Sequence, residues 1–186
     1  MNRCPWCLGS ELYIKYHDEE WGIPVHDDKK HYEYLFLEIM QSGLSFITIL
    51  NKRDNFRRAF ADFNVYDIAN FDASKVKSLM QDIGIIRNYA KINAVINNAK
   101  YFLRIQKEFG SFDKFIWAYT NNQVIDNKVR NLQDLVGKTD LSNRIAKQLK
   151  DHGFKFIGAK NIYAYMQAIG MVNDHLISCF KHGGFN

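Results

Sequence analysis

With 186 residues, 47% of them hydrophobic and 15% aromatic, the chain can build one good core and has a globular composition. No apolar run reaches membrane-spanning length and no charged-then-apolar stretch opens the sequence, so neither a membrane span nor a secretory signal is expected. A net charge of +5 and a pI near 9.0 suit a polyanionic partner without naming DNA, and three cysteines in a reducing compartment favour metal binding over a disulfide.

Helical periodicity begins at Asp27. Asp27 or Asp28 is expected to cap a helix from Lys29 to about Ser42, stopped by Gly43. Ser45 is expected to cap a second helix to about Phe60, with Ile47, Leu50 and Phe56 inward. Asp72 is placed to cap Lys75 to Gln81, where Val76, Leu79 and Met80 have core spacing, and Gly84 breaks the pattern. A long helix follows from Asn88 to Phe109, its Ile92, Val95, Ile96, Ala99 and Leu103 inward, ended by Gly110. Ser111 is expected to cap a helix around Phe115 to Tyr119, while residues 120–138 show no resolvable period. Ser142 is expected to cap Arg144 to His152, and Ala159 to Ile169 forms the last helix before Gly170. Strand-like alternation is scarce, both prolines precede residue 25, and no linker or repeat interrupts the chain. The fold class is therefore all-α. Residues 1–186 read as a single compact unit, with 27–170 as a helical core and 1–26 plus 171–186 as terminal segments.

The chemistry-bearing residues concentrate at the two ends. Cys4, Cys7 and His17 open the chain, and His175-Leu-Ile-Ser-Cys179 closes it. His and Cys four residues apart share one helix face, so His175 and Cys179 can reach one ion. Soft thiolates and imidazoles in tetrahedral number suit Zn²⁺, which would fasten the termini together. By spacing alone Cys4-x-x-Cys7 makes a better zinc knuckle than Cys4 with His17, and the bland alternative is three buried cysteines acting as small hydrophobes.

Two further features stand out. In Gly153-Phe-Lys-Phe-Ile-Gly158 two glycines bracket a tight interhelical turn, where positive φ is open to them. The following helix starts at Gly158 with its free amides outward, an anion site that fits a DNA phosphate, and Lys155 adds a cation. Most such turns are plain corners without function. Glu38, inside Leu35-Phe36-Leu37-Glu38-Ile39-Met40, is a carboxylate among apolar neighbours. Such a residue usually points to solvent or finds an Arg; if buried it needs a partner, and a cationic base would serve.

The hairpin resembles that of the helix-hairpin-helix DNA glycosylase superfamily, and Gly84-Ile-Ile-Arg-Asn-Tyr-Ala-Lys-Ile-Asn93 resembles a second superfamily segment, a Gly-initiated turn before a basic helix. Within it one branch matches nearly the whole chain. Arg3-Cys4-Pro5-Trp6, Leu12-Tyr13-Ile14, Tyr16-His17-Asp18-Glu19-Glu20-Trp21-Gly22, Gly43-Leu44-Ser45 and Val172-Asn173-Asp174-His175 look like the bacterial 3-methyladenine DNA glycosylase I family. That resemblance implies a monofunctional N-glycosyl hydrolase of base-excision repair. Such an enzyme flips 3-methyladenine out of alkylated double-stranded DNA, releases the free base and leaves an abasic site. It implies a closed structural Zn²⁺ shell of Cys4, His17, His175 and Cys179, with Cys7 as the chief rival ligand. It further implies Glu38 and Tyr16 as catalytic residues, base binding by Trp6, Tyr13, Trp21 and Phe46, and DNA binding by Gly153, Lys155, Gly158 and Lys160. Phe46 stands where the family often has tryptophan. Asp174, near the superfamily's usual catalytic aspartate, is read as structural, and Lys160 as a phosphate contact and not a lyase nucleophile. A monomer in the bacterial cytoplasm, at the nucleoid, completes the expectation. The rival is a non-catalytic damaged-DNA-binding zinc module, which leaves Glu38 and its aromatic neighbours without a purpose.

Overall fold

The computed structural model describes residues 2–183; Met1 and residues 184–186, assigned above to the terminal segments, lie outside the described residues. In chain order the helices are α1 (Glu11–Glu19), α2 (Asp28–Gln41), α3 (Phe46–Asn51), α4 (Arg53–Ala59), α5 (Val65–Ala69), α6 (Ala73–Gln81), α7 (Tyr89–Phe109), α8 (Phe112–Trp117), α9 (Asp140–Asp151) and α10 (Ala159–Ala168). Two short parallel strands, β1 (Ile125–Asp126) and β2 (Val172–Asn173), join the irregular region before α9 to the C-terminal segment. The mostly helical reading stands. The strands were missed because two residues carry no alternation, and their pairing rests on Ile125 N–H to Met171 O at 3.0 Å and Asn127 N–H to Asn173 O at 3.2 Å. No helix among the described residues is long and apolar enough to cross a membrane.

Helix α2 is the axis of the core. It starts where the Asp27 side chain accepts the Lys30 amide at 2.9 Å. Every residue from His31 to Met40 is buried, because α3, α7, α8 and α10 pack around it. Phe36 meets the edges of Phe56, Phe60 and Phe63 at 5.3, 4.7 and 5.1 Å, and Phe60 and Phe115 are likewise buried. With no solvent face left, a polar residue of α2 destabilises the fold unless it finds a partner inside. Glu33 does so through Arg53, at 2.7 Å, and Arg53 in turn reaches Glu20 at 2.7 Å. At the other end, the buried Lys91 ammonium donates to the carbonyls of Met40 at 2.9 Å and Ser42 at 2.6 Å, capping α2 with a cation.

Several local expectations change. The single helix expected from Ser45 to Phe60 is two, α3 and α4, with Lys52 between them, and the Ser45 hydroxyl pairs with Thr48 Oγ1 at 2.7 Å instead of an amide. The cap of α9 is Thr139, not Ser142; the two form a reciprocal capping box that starts the helix at Asp140. His175 and Cys179 do not lie on a helix. The backbone after β2 is drawn aside by Ile177 N–H to Val129 O and Phe180 N–H to Asn2 O, leaving only a tight turn, Cys179 N–H to Leu176 O. Helix α1, unexpected from sequence, is capped by Ser10, whose oxygen accepts the Tyr13 amide at 3.2 Å.

The chain ends meet at Gly170. Its φ is +68°, and a Cβ there would sit 2.4 Å from the Ile23 carbonyl carbon and 2.5 Å from Pro24 N. Only glycine lets the N-terminal strand of chain cross so closely. The crossing is pinned by Gly22 N–H to Gln167 O at 3.0 Å and Val25 N–H to Ile169 O at 3.1 Å.

Candidate functional site

Helix α1 delivers residues to two neighbouring sites. At the first, Cys4, His17, His175 and Cys179 are all buried, and one donor atom from each lies within 4.8 Å of the others. Cys179 Sγ stands 3.4 Å from His17 Nε2 and 3.7 Å from His175 Nδ1, and Cys4 Sγ stands 3.7 Å from His175 Nδ1. A tetrahedral cation bonded at about 2.3 Å to sulfur and about 2.0 Å to nitrogen sets such edges at roughly 3.5 Å. The remaining ring nitrogens are oriented from outside: His17 Nδ1 faces Asp18 Oδ1 at 2.7 Å and His175 Nε2 faces the Trp21 carbonyl at 3.1 Å. Asp18 is itself held by Arg3 at 2.8 Å, which keeps its carboxyl below the usual range. Burial keeps both imidazoles neutral, His175 down to about 4. These four residues could hold one metal ion. Cys7 is outside the set; it is buried, and its Sγ donates to the Cys4 carbonyl at 3.1 Å.

Adjoining the cluster, with Trp6 against His17 and Trp21 against His175, lies a cleft of ≈ 250 Å³ lined by Trp6, Tyr13, Tyr16, Trp21, Glu38 and Phe46. Trp6 sits edge-on to Tyr13 at 5.3 Å and to Trp21 at 4.9 Å, and Tyr16 meets Phe46 at 5.0 Å. These are ring faces set around a slot for something flat. Glu38 is buried, and no side chain or amide among the described residues bonds its carboxylate. Burial pushes that carboxyl up to about 8 and holds the Tyr16 phenol well above its ordinary value. An entering cation would ionise Glu38 and become its partner.

The structure thus brings together Glu38, Tyr16 and all four expected aromatics. It adds Gln41, Ala164, Gln167, Leu132 and Leu135. Gln41 and Gln167 were within reach of sequence reading, lying three residues after Glu38 and Ala164 on their helices. Leu132 and Leu135 come from a 3₁₀ turn (Leu132–Asp134) in the stretch without period, where no signal marked them. The Asp174 carboxylate accepts from Asn127 at 2.6 Å, Tyr163 at 2.8 Å and Gln167 at 2.7 Å, so it steadies Gln167 beside the cleft.

Glu38, Gln41 and Ala164 also border a second cleft of ≈ 320 Å³, lined by Ser42, Gly43, Leu44, Lys160 and Asn161. This leads to the first turn of α10 and to the turn that precedes it. Gly153 has φ +98°, and a Cβ there would strike the Tyr101 ring at 2.4 Å. Gly158 is extended and N-caps α10, so the second left-handed residue of the turn is Phe156, φ +56°, where a glycine had been expected. Asn98 locks the turn by donating to Lys155 O at 2.9 Å and accepting Lys155 N–H at 2.8 Å. Lys155 and Lys160 are exposed beside it.

A mostly helical frame with an aromatic slot around an unpartnered carboxylate has the build of a protein that receives one flat cationic ring. Known proteins agree. A sequence profile described as methyladenine glycosylase matches residues 6–182. DNA-3-methyladenine glycosylase 1 of Escherichia coli (strain K12) is 41% identical over 184 residues, 99% of this chain and 98% of that one. DNA-3-methyladenine glycosylase of Haemophilus influenzae is 44% identical over 177 residues, 95% and 96%. A variant of 3-methyladenine DNA glycosylase I, solved in complex with 3-methyladenine, superposes with a TM-score of 0.96 at 33% identity, covering 100% of both chains. The chain belongs to the methyladenine glycosylase family.

Proposed function

We propose that this protein hydrolyses the N-glycosidic bond of 3-methyladenine in alkylated duplex DNA, releasing the base and leaving an abasic site. The single observation that carries this is Glu38: a buried carboxylate without a partner, ringed by aromatic faces, in a slot sized for one base. The bond is out of reach inside a stacked duplex, so the nucleotide must be extruded into the slot. Methylation at N3 makes the base cationic, and its departure as a neutral molecule needs no added proton. Recognition therefore supplies most of the selectivity. Glu38 accepts hydrogen bonds from the base's amino edge, Tyr16 stacks on or bonds to it, and Trp6, Tyr13, Trp21 and Phe46 favour a cation over a neutral ring.

The turn before α10 acts as a helix-hairpin-helix element, with Gly153, Lys155, Gly158 and Lys160 on backbone phosphates. The terminal cluster binds structural Zn²⁺; its soft, closed Cys₂His₂ donor set is the support, and no step of the reaction passes through it. Residues 27–170 form the helical core, and the terminal segments are a clasp that also brings Trp6, Tyr13, Tyr16 and Trp21 to the slot. The protein acts as a monomer in the bacterial cytoplasm. The test is base release from methylated duplex DNA by wild type and Glu38→Gln. Free 3-methyladenine from the wild type, reduced roughly 100-fold in the variant, is the expected result, since one buried charge partner is worth about 3 kcal/mol. No release of any base by folded, metal-loaded protein overturns the reading.

A further inference from the structure

Beyond the hairpin the surface does not become neutral. The largest described cleft on this side, ≈ 630 Å³, lies between α6 and α7 and reaches back to the hairpin itself. Lys77 from α6, Lys100 from α7 and Lys155 from the hairpin all line it. All three are exposed, and none has an ion pair among the described residues. This contrasts with the lysines elsewhere that do have partners, Lys29 on Asp62 and Lys147 on Asp151. The lining mixes apolar Phe71, Val76, Met80 and Ile96 with the amides of Asn93 and Asn97. Asn97 donates to the Gly153 carbonyl at 2.9 Å, so the groove and the hairpin are one bonded unit. Asn93 is tied to the Tyr89 carbonyl at 2.8 Å, and the Tyr89 ring stands 64% exposed at the rim. The single carboxylate on the wall, Asp72, is engaged by the Lys75 amide at 2.8 Å and the Ser74 hydroxyl at 2.7 Å.

We infer that this groove is a second DNA-backbone site, in which Lys77 and Lys100 take phosphates of the strand that has already crossed the hairpin at Lys155. The inference rests on the DNA-glycosylase reading and extends its footprint away from the damaged base. Three ammonium groups without ion pairs against one carboxylate leave the groove net positive, which complements a polyanion and not a neutral or cationic partner. Because the groove shares Lys155 and a hydrogen bond with the hairpin, a strand held by one is fed to the other. The groove shares no lining residue with the slot that holds Glu38, so these contacts add affinity and orientation and leave the chemical step alone.

The experiment compares full-length wild type, the double variant Lys77→Gln/Lys100→Gln, and Lys29→Gln as a control at the far end of α2. The readouts are salt dependence of binding to unmodified duplex DNA and single-turnover release of 3-methyladenine at saturating methylated duplex. Each lost phosphate contact should lower the slope of log K against log salt by about 0.9. The proposal expects a drop of roughly two units in the double variant, none in the control, and an unchanged saturated release rate. An unchanged slope in the double variant, or an equal drop in the Lys29→Gln control, overturns it while release by the wild type keeps the enzyme reading intact. Absence of release in the wild type strikes the enzyme reading, and the slopes still decide the groove.

Discussion

The two sites that α1 serves are built on opposite terms. In the terminal cluster every buried polar group is answered: Asp18 and the Trp21 carbonyl orient the two imidazoles, and the four donors face one another at cation-bridging distances. In the slot, Glu38 is buried to a similar degree and left unanswered. A satisfied set stabilises the fold; an unsatisfied one lowers stability and reserves that free energy for a ligand. The difference separates two adjoining sets of side chains that both draw on α1, one closed on itself and one open.

That contrast can be broken from either side. The largest effect is expected at the cluster. Cys4→Ser or His175→Ala should strip one equivalent of metal and lower stability by about 4 kcal/mol, or roughly 10 °C in Tm, with the termini exchanging amide hydrogens first. Cys7→Ala should keep its metal, as read by elemental analysis; loss of the metal there would put Cys7 back among the ligands. At the slot the sign reverses. The Glu38 carboxyl sits at about 8 in the folded protein against an ordinary 4.5. The folded state thus holds an extra proton between those values, and stability falls as pH rises through them. Glu38→Gln should therefore be more stable than wild type at pH 8.5, by on the order of 2 kcal/mol, and no more stable at pH 4.5. Chemical denaturation at the two pH values checks this, and a variant less stable at both would mean that Glu38 has a partner in the fold. The smallest effect is a sharpening. Phe46→Trp should tighten binding of free 3-methyladenine by about 0.5–1 kcal/mol through added ring area against Tyr16, measured by calorimetry.

Legibility followed residue chemistry more than element boundaries. Cys4, His17, His175 and Cys179 could be picked out because few other roles suit those residue types at both ends of a chain. Spacing alone preferred Cys7 to His17. What reverses the preference is α1, which buries His17 beside Cys179 while Cys7 turns its sulfur to the Cys4 carbonyl. Helix caps at Asp27, Asp72, Asn88 and Ser111 were readable from local side-chain chemistry. The break at Lys52 was not, since nothing in that residue forbids a continuous helix. Leu132 and Leu135 were out of reach for a different reason. Their position against the slot is set by contacts distant in sequence, and the segment between α8 and α9 has no period of its own.

The crossing at Gly170 carries a consequence for how the protein is made. The slot combines Trp6, Tyr13, Tyr16 and Trp21 with Ala164 and Gln167, more than 140 residues later in the chain. The Cys/His cluster spans the same interval, from Cys4 to Cys179. A chain still on the ribosome can form α2 and its neighbours, yet it cannot close either site until the segment after α10 emerges and packs against residues 22–25. Slot and cluster therefore depend on the same long-range closure, and neither is complete until residues 164–179 have packed against the N-terminal segment.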